Sequence, residues 1–192
     1  MTAKRNLKAR PKATPSRIQH NIQSDKAIVD QLIVDNALLH IAETEDLAIT
    51  DLPSGEISVP LNTWLDDKAA ILARDGLVAV QVAADENPED LIDDLGGIDV
   101  IVLPFVTHTD GRSYSIAHKL RERLKYTGQI RAIGDVKFDQ LDFLTRVGCN
   151  AFELPAGEDL ETALRAFKEF SEVYQPAADN KRLIFSRRRT VH

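Results

Sequence analysis

The sequence predicts an α/β domain in which about five strand–helix units build a parallel sheet. Three observations carry this prediction. Short, nearly continuous apolar runs recur along the chain, as is typical of strands buried on both faces. Stretches with helical periodicity separate these runs. Glycines at positions 76, 97, 128 and 148 stand between a helical stretch and the next strand, where a left-handed residue ends a helix without steric cost.

The first predicted element is a small β-hairpin that precedes the sheet. Its apolar runs, 31–34 and 37–41, are separated by Asp35 and Asn36, which tolerate positive φ and suit a tight turn. The strands of the sheet are then predicted at residues 57–61, 77–82, 100–103, 129–133 and 151–154.

Helical patterns follow these strands. Asn62 is placed to cap the first helix, and Asn87-Pro88 is typical of a helix start. The expected core face of the first helix comprises Trp64, Leu65, Ala69 and Leu72. A later helix begins near Ser113 and faces the core with Ile116, Ala117, Leu120 and Leu124. The last apolar stripe comprises Leu160, Ala163, Leu164, Phe167 and Val173.

With right-handed crossovers, these units make either an open, doubly wound sheet or a partial (β/α) barrel, and the sequence leaves both open. Both folds place the functional rim outside the carboxyl ends of the strands. We expect a disordered basic arm over 1–24, a single α/β domain over 25–178 that includes the hairpin, and a basic tail over 179–192.

Composition excludes several function classes. The chain has 192 residues, a net charge of −6 and one cysteine, Cys149, so it holds no internal disulfide, CxxC dithiol or iron–sulfur cluster of its own. Residues 18–180 carry thirteen basic and thirty acidic side chains, which argues against nucleic-acid binding. No apolar run approaches the roughly 18–20 residues that cross a membrane, so we expect a cytoplasmic protein. No nucleotide or cofactor motif is present, and we predict no cofactor.

A basic island interrupts this acidic chain. Residues 112–146 carry eight Lys and Arg against four Asp and Glu, whereas residues 18–110 carry three against nineteen. The island opens where a long loop enters a helix, so Arg112 with the hydroxyls of Ser113 and Ser115 makes a candidate cradle for sulfite, sulfate or phosphate. The alternative is structural: Asp110 or Ser113 caps the helix, and Arg112 pairs with Asp110 or Asp135.

Arg131 stands inside an apolar strand, where an unpaired guanidinium would be very costly. We therefore expect a nearby carboxylate, Glu153 first and Asp135 second, in either an active-site pair or a structural lock. The candidate site comprises Asp110 and Asp135 as catalytic carboxylates, with Arg112, Ser113, Ser115, Arg131 and Glu153 as substrate-binding residues.

Two other candidates are judged weaker. His108, Asp110 and His118 could be drawn around a metal, but a short loop followed by a helix is a poor frame for three converging ligands, so no metal is predicted. Cys149 lies at the amino end of a strand, opposite the rim, and is interpreted as a small core residue rather than a nucleophile.

Several segments together resemble one bacterial family, domain of unknown function 934. They include Leu103-Pro104-Phe105, Asp110-Gly111-Arg112-Ser113-Tyr114-Ser115, Arg131-Ala132-Ile133-Gly134-Asp135-Val136 and Ala151-Phe152-Glu153-Leu154. The family usually reads Arg-Cys-Gly-Phe where this chain has Arg146-Val147-Gly148-Cys149, which puts a shared thiol mechanism in doubt.

The resemblance implies a probable oxidoreductase of sulfite reduction, because members are typically encoded beside sulfite reductase and sulfonucleotide reductase. It supplies no catalytic residues. We therefore expect an accessory protein of assimilatory sulfate and sulfite reduction that binds one of these reductases or a small oxyanion. The alternatives are a stand-alone enzyme acting on a small anionic metabolite, with Asp110 or Asp135 as general base, and an oxidoreductase that binds flavin or nicotinamide without a recognisable motif. The sequence does not indicate an oligomeric state.

Overall fold

A computed structural model describes residues 24–42, 52, 54–107 and 110–169, and it shows an α/β fold built on a mixed sheet. The strands are β1 (Lys26–Val29), β2 (Leu32–Asp35), β3 (Leu39–His40), β4 (Ile57–Pro60), β5 (Val78–Gln81), β6 (Val100–Phe105), β7 (Gln129–Gly134) and β8 (Ala151–Phe152). Their order in the sheet is β2-β1-β8-β7-β6-β5-β4-β3. Strands β3 to β8 run parallel, whereas β1 is antiparallel to both β8 and β2.

The helices of the described residues are α1 (Leu61–Leu72), α2 (Arg112–His118), α3 (Leu141–Val147) and α4 (Leu160–Glu169). A π-helical turn, Lys119–Arg123, continues α2. The predicted α/β class is confirmed, but the regular pattern of five strand–helix units in a parallel sheet is not. The crossover from β5 to β6 holds two short 3-10 turns, Pro88–Leu91 and Leu95–Gly97, in place of an α-helix. Asn87 and Pro88 start the first turn as predicted, but the paired glycines, Gly96 and Gly97, disfavour an α-helix.

All four α-helices pack on one face of the sheet. Residues from each helix share a single apolar cluster with alternate residues of the strands, among them Ile101, Leu103 and Phe105 of β6. This arrangement follows from the strand order, because β3 to β8 lie side by side in chain order and every crossover moves in the same direction. A doubly wound sheet needs a reversal of that order, so the fold is the half-barrel alternative.

The sheet curls strongly toward the face without helices. Three residues, 36–38, join β2 to β3, although these strands form the two edges of the sheet. Four Cα steps span at most about 14 Å, whereas seven strand spacings in a flat sheet would span roughly 34 Å. The two edges are therefore brought together, and the helix-free face becomes the concave interior. Its apolar residues are Leu38, Ala79, Val100, Val102 and Ile133.

The hairpin prediction is wrong in its turn. Asp30 and Gln31 form the turn between β1 and β2 with φ of 48° and 64°, and β1 pairs with β2 from Val29↔Leu32 outward. Asp35 instead ends β2, and Asn36 begins the connection to β3, which pairs with β4 at the opposite edge. Asp35-Asn36 is the more typical turn dipeptide of the two, so composition alone pointed to the wrong position.

The predicted core face of α1 is also wrong. Trp64 is buried as expected, but Leu65 and Leu72 are 45% and 55% exposed, and Leu61 and Ile71 are buried instead. The helix is kinked at Asp67, whose φ of −126° and ψ of 22° are not helical, so a straight helical projection misplaces the following residues. Asn62 does not cap the helix, because the helix begins one residue earlier, after Pro60.

One of the four glycine predictions holds in full, because Gly148, with φ of 120°, is the C-cap of α3. Gly76 also has a positive φ, 106°, but α1 ends earlier, at the right-handed C-cap Ala73. Gly97 and Gly128 do not have positive φ, and Lys125, with φ of 54°, takes the left-handed conformation after the π-helical turn. Gly128 is needed for space, since a Cβ there would lie 2.8 Å from the Asp99 carbonyl oxygen.

The basic arm up to residue 23, the tail from 179, Val173 and His108 lie outside the described residues. In the part of the chain that the structure describes, no helix has the length and apolar character needed to cross a membrane.

Candidate functional site

The rim at the carboxyl ends of the strands carries an ion pair between Asp110 and Arg112. Arg112 Nε and Nη2 lie 3.0 and 2.7 Å from the two Asp110 carboxylate oxygens, and the Arg112 backbone N–H donates to Asp110 Oδ1 at 3.1 Å. These bonds lower the pKa of Asp110 to about 2, with the side-chain bond as the main cause. A carboxylate with so low a pKa is a weak base at neutral pH, which disfavours Asp110 as a general base.

The two predicted hydroxyls have different surroundings. Ser113 is buried, and its Oγ donates to the Pro104 carbonyl oxygen at 3.1 Å, so it fastens the start of α2 to the end of β6. Ser115 is exposed and lines a cleft of about 330 Å³ between α2 and the loop after β5. We call this the rim cleft; its lining includes Asp85, Glu86, Asn87, Arg112, Ser115 and Lys119.

Asp135 directly follows the end of β7. Its backbone N–H donates to the Phe105 carbonyl oxygen at 2.8 Å, which ties β7 to β6 at the rim. Gly134 must be glycine, because its φ is 98° and a Cβ would collide with the same Phe105 oxygen. The Gly134-Asp135 segment thus has a structural role, and it leaves the Asp135 side chain at the carboxyl end of a parallel strand.

Arg131 and Glu153 form the predicted ion pair, with Arg131 Nη1 2.7 Å from Glu153 Oε1. The Glu153 side chain is fully buried and that of Arg131 is 11% exposed. Arg131 Nη1 also donates to Asn36 Oδ1 at 2.8 Å. With the Gln129 amide oriented by its hydrogen bonds, Gln129 Oε1 accepts from Arg131 Nη2 and Nε at 2.9 and 2.8 Å. The guanidinium is therefore well satisfied by hydrogen bonds.

Three further polar residues extend this pair across the concave face. His40 Nε2 lies 3.0 Å from Glu153 Oε2, and His40 Nδ1 lies 2.7 Å from Ser58 Oγ. Ser58 is fully buried, and its Oγ also accepts from Gln81 Nε2 at 2.9 Å. We call Asn36, His40, Ser58, Gln81, Arg131 and Glu153 the concave network. It joins β3 to β8 across the interior of the curled sheet.

The concave network contains a nucleophile, a base and an orienting carboxylate in hydrogen-bond sequence, as catalytic triads do. However, Ser58 and Glu153 are fully buried, and Leu38 packs into the same interior. A substrate has no access to the Ser58 hydroxyl in this arrangement. The network is therefore chemically suited to holding the two sides of the sheet together.

The sequence analysis missed His40, Ser58 and Gln81. Ser58 and Gln81 are polar residues inside otherwise apolar strands, which is the signal that identified Arg131, so they could have been found in the same way. His40 had no such signal. Its importance depends on contact between strands five positions apart in the sheet. The structure also separates the predicted site, because Arg131 and Glu153 lie inside the sheet and not at the rim with Arg112.

Much of the basic island serves the fold. Arg121 donates to the carbonyl oxygens of Tyr126, Gly128 and Gly148 at 2.6, 2.7 and 2.8 Å. Lys119 contacts Glu89 and Asn87 at 3.0 and 2.8 Å. These contacts bind the π-helical turn to neighbouring loops, so only part of the island's charge is available at the surface.

A second cleft, of about 470 Å³, lies between α2 and α3, and we call it the α2–α3 cleft. Its floor is aromatic: the Tyr114 and Phe143 rings lie 5.3 Å apart, and Phe143 is 53% exposed. The remaining lining residues are Ser115, His118, Lys119, Arg123 and Val147. Ser115 and Lys119 also line the rim cleft, so the two clefts meet along α2.

Cys149 is buried, as expected, beside the end of α3. Burial raises the pKa of its thiol to about 12, which keeps the thiol protonated and unreactive at neutral pH. Among the described residues, no three His, Cys, Asp or Glu side chains converge in a way that could hold a metal ion.

Comparison with known proteins identifies a family. A family model described as bacterial protein of unknown function (DUF934) matches residues 64–185, which include β5 to β8 and α2 to α4. No curated protein and no solved structure matches the chain.

Proposed function

We propose, from the premise that this chain belongs to the bacterial family of unknown function DUF934, that the protein is an accessory component of assimilatory sulfate and sulfite reduction. In this proposal it acts in the cytoplasm with sulfite reductase or sulfonucleotide reductase and binds their oxyanion at the rim cleft. The metabolic context comes from the family resemblance, whereas the site comes from the geometry.

The rim cleft is the observation that carries the proposal. Arg112, Lys119 and Ser115 line one concave surface at the carboxyl ends of parallel strands, where (β/α) folds bind their ligands. Guanidinium, ammonium and hydroxyl groups are suitable donors for sulfite or sulfate oxygens. The Arg112 side chain is 62% exposed. Exposed ion pairs are weak, so an oxyanion can replace Asp110 as its partner.

The same cleft limits affinity. Asp85 and Glu86 also line it, and their charge opposes that of an anion. We therefore expect weak binding, with a dissociation constant of about 1 mM. Weak binding suits a protein that works beside a reductase rather than one that captures free sulfite.

Titration of the purified protein with sodium sulfite, followed by NMR shifts of α2 amides, tests the binding site. Arg112→Met should weaken sulfite binding by about tenfold. Arg123→Met is the matched control, because Arg123 lines the α2–α3 cleft and not the rim cleft. Equal sulfite-induced NMR shifts in both variants, or shifts confined to another part of the fold, would count against the rim cleft as the sulfite-binding site.

The pathway assignment needs a test in cells. Deletion should prevent growth on sulfate and sulfite but allow growth on cysteine, and the tagged protein should copurify with one of the two reductases. Normal growth of the deletion strain on sulfate would rule out an essential accessory role.

A second candidate function is a stand-alone enzyme acting on a small anionic metabolite. One observation favours it: Asp135 follows β7 at the carboxyl end, where (β/α) barrels place catalytic residues. If this function is correct, Asp135→Asn should fail to restore growth of the deletion strain although the variant is as abundant and as thermally stable as the wild type. Asp139→Asn, an exposed change nearby, should restore growth.

A further inference from the structure

We infer that copies of this chain associate head to tail, with the exposed apolar and acidic side of α1 on one copy seated in the α2–α3 cleft of the next. The inference concerns α1 and the α2–α3 cleft, which shares Ser115 and Lys119 with the rim cleft, and it does not depend on the proposed function. It rests on two surfaces of one chain that are complementary in both polarity and charge.

The α2–α3 cleft provides the receiving surface. Its floor is the Tyr114–Phe143 pair, extended by Val147, and Phe143 is half exposed. Its rim carries Arg123, which is exposed, and His118. None of the described residues that line the cleft is acidic. Exposed aromatic residues with arginine at the margin are typical of the most energetic parts of protein interfaces.

The α1 surface provides the inserting element. Leu65 and Leu72 are 45% and 55% exposed, and Ala69 between them is exposed as well. Asp66 and Asp67 stand beside Leu65 and are also exposed. Lys68 is the basic residue of the helix, and Asp94 already pairs with it. The surface is therefore apolar with a net negative charge, and it lies on a helix whose other side is anchored by Trp64.

The α1 surface and the α2–α3 cleft are complementary in both polarity and charge. Leucine side chains projecting from a helix suit an apolar groove, as in other helix-in-groove complexes. Asp66 and Asp67 would face the rim of positive charge around Arg123, which favours one orientation of the helix and speeds encounter. A second copy is the occupant that the chain itself supplies, because each molecule carries both halves of the contact.

The two surfaces lie on different parts of the fold. Helix α1 follows β4 and α3 follows β7, and these strands are three positions apart in the sheet. A two-fold dimer would need both surfaces of each copy to engage the same partner at once, so we infer a heterologous contact, in which one copy contributes α1 and its neighbour contributes the cleft. Heterologous contacts generate rings or open chains rather than closed two-fold dimers. The average mass should rise with protein concentration and fall as salt screens the charges.

Sedimentation of the full chain tests the inference through complementation. The variant Leu65→Lys/Leu72→Lys loses the inserting surface, and Phe143→Asp loses the receiving surface. Each should be monomeric alone. An equimolar mixture should form dimers but no larger species. Each variant keeps one intact surface and lacks the other, so each can make a single contact. Arg123→Glu should raise the dissociation constant by about tenfold.

Phe138→Asp is the control, since Phe138 is a similarly exposed aromatic residue that does not line the cleft. It should associate like the wild type. A wild type that stays monomeric at high concentration, or a mixture that does not dimerise, would overturn the inference. So would a monomeric wild type in which the α1 substitutions lower the melting temperature, because α1 would then be covered within its own chain.

Discussion

Arg131 and Glu153 show how one buried charge depends on its neighbours. The guanidinium also contacts Asn36 and the carboxylate also contacts His40, so removing either charge leaves several polar groups unsatisfied. Breaking a buried pair is far more costly than replacing both members with apolar residues.

Replacement of Arg131 by methionine should therefore lower the free energy of unfolding by about 3–5 kcal/mol, because Glu153 remains buried without its main partner. Urea denaturation measures this change. Arg112→Met is the matched control, since it breaks a solvent-exposed pair and should have a much smaller effect. Similar losses in both variants would show that the buried pair contributes no more than a surface pair.

The Cys149 thiol gives a prediction about pH. Its pKa is raised by burial from an ordinary value near 9 to about 12, so the unfolded chain loses this proton at lower pH than the folded chain. Stability should be unaffected below about pH 9 and should fall as pH rises from there toward 12. Tyr126, whose pKa burial also raises, contributes a loss of the same sign. Denaturation curves of Cys149→Ala should show a shallower decline, and an unchanged slope would contradict the assignment.

At the scale of residues, the sequence identified site residues whose chemistry conflicts with that of their immediate neighbours in the chain. Arg131 was identified because a charge inside an apolar strand requires a partner, and the neighbouring strand offered Glu153. His40 could not be identified in this way. Its partners Ser58 and Glu153 are distant from it in the sequence, and Glu153 comes close to it because the sheet curls. The Asp110–Arg112 pair was anticipated only as one of two alternatives, since spacing alone does not say whether a side chain faces its neighbour or a ligand.

At the scale of elements, α3 ends through a close contact between Gly148 and Arg121. Gly148 has φ of 120°, and a Cβ there would collide with Arg121 Cγ, whose guanidinium donates to the Gly148 carbonyl oxygen. This one residue therefore ends α3 and accommodates the arginine that fastens the π-helical turn.

Substitution of Gly148 by alanine should cost about 1–3 kcal/mol from backbone strain and more from displacement of Arg121. Gly157→Ala is a matched control, because Gly157 has φ of 96° but nothing within 4 Å of the added methyl group. The difference between their melting temperatures isolates the steric part. Equal melting temperatures would show that Arg121 moves aside without loss.

The elements were predictable where a local signal has one physical meaning. Continuous apolar runs identified the five central strands, and Gly148 identified the end of α3. The hairpin turn was misplaced because Asp35-Asn36 is a more typical turn dipeptide than Asp30-Gln31, and the pairing of β1 with β2 and β8 selects the latter. On α1, Ala69 and Leu72 follow the kink at Asp67, which shifts the helical period, whereas Leu65 precedes the kink and was assigned to the core from its apolar character alone.

At the scale of the whole molecule, the strand order determines what the sheet can enclose. The apolar runs predicted burial on both faces, and the helices of the described residues cover one of them. The other face is buried because the sheet curls and residues 36–38 cross from one edge to the other. No local pattern distinguishes this outcome from a doubly wound sheet, since the two differ in strand order and not in the strands themselves.

The concave network is what holds this curl at the β3 edge. Strand β3 has two residues, pairs with β4 on one side, and is linked to β8 through His40 and Glu153. Five strand spacings would separate β3 and β8 by about 24 Å in a flat sheet. The 3.0 Å contact between these side chains thus joins parts of the sheet that strand pairing alone would leave apart.

Replacement of His40 by alanine should therefore loosen β3 and β4 while the helices remain intact. Hydrogen exchange followed by mass spectrometry should show faster deuterium uptake over residues 39–41 and 57–60 and unchanged uptake in α4. His118→Ala, which removes an exposed histidine from α2, should leave exchange in both regions as in the wild type. Uptake that stays slow at β3 in the His40 variant would mean that Leu38 packing, rather than the polar network, closes the sheet.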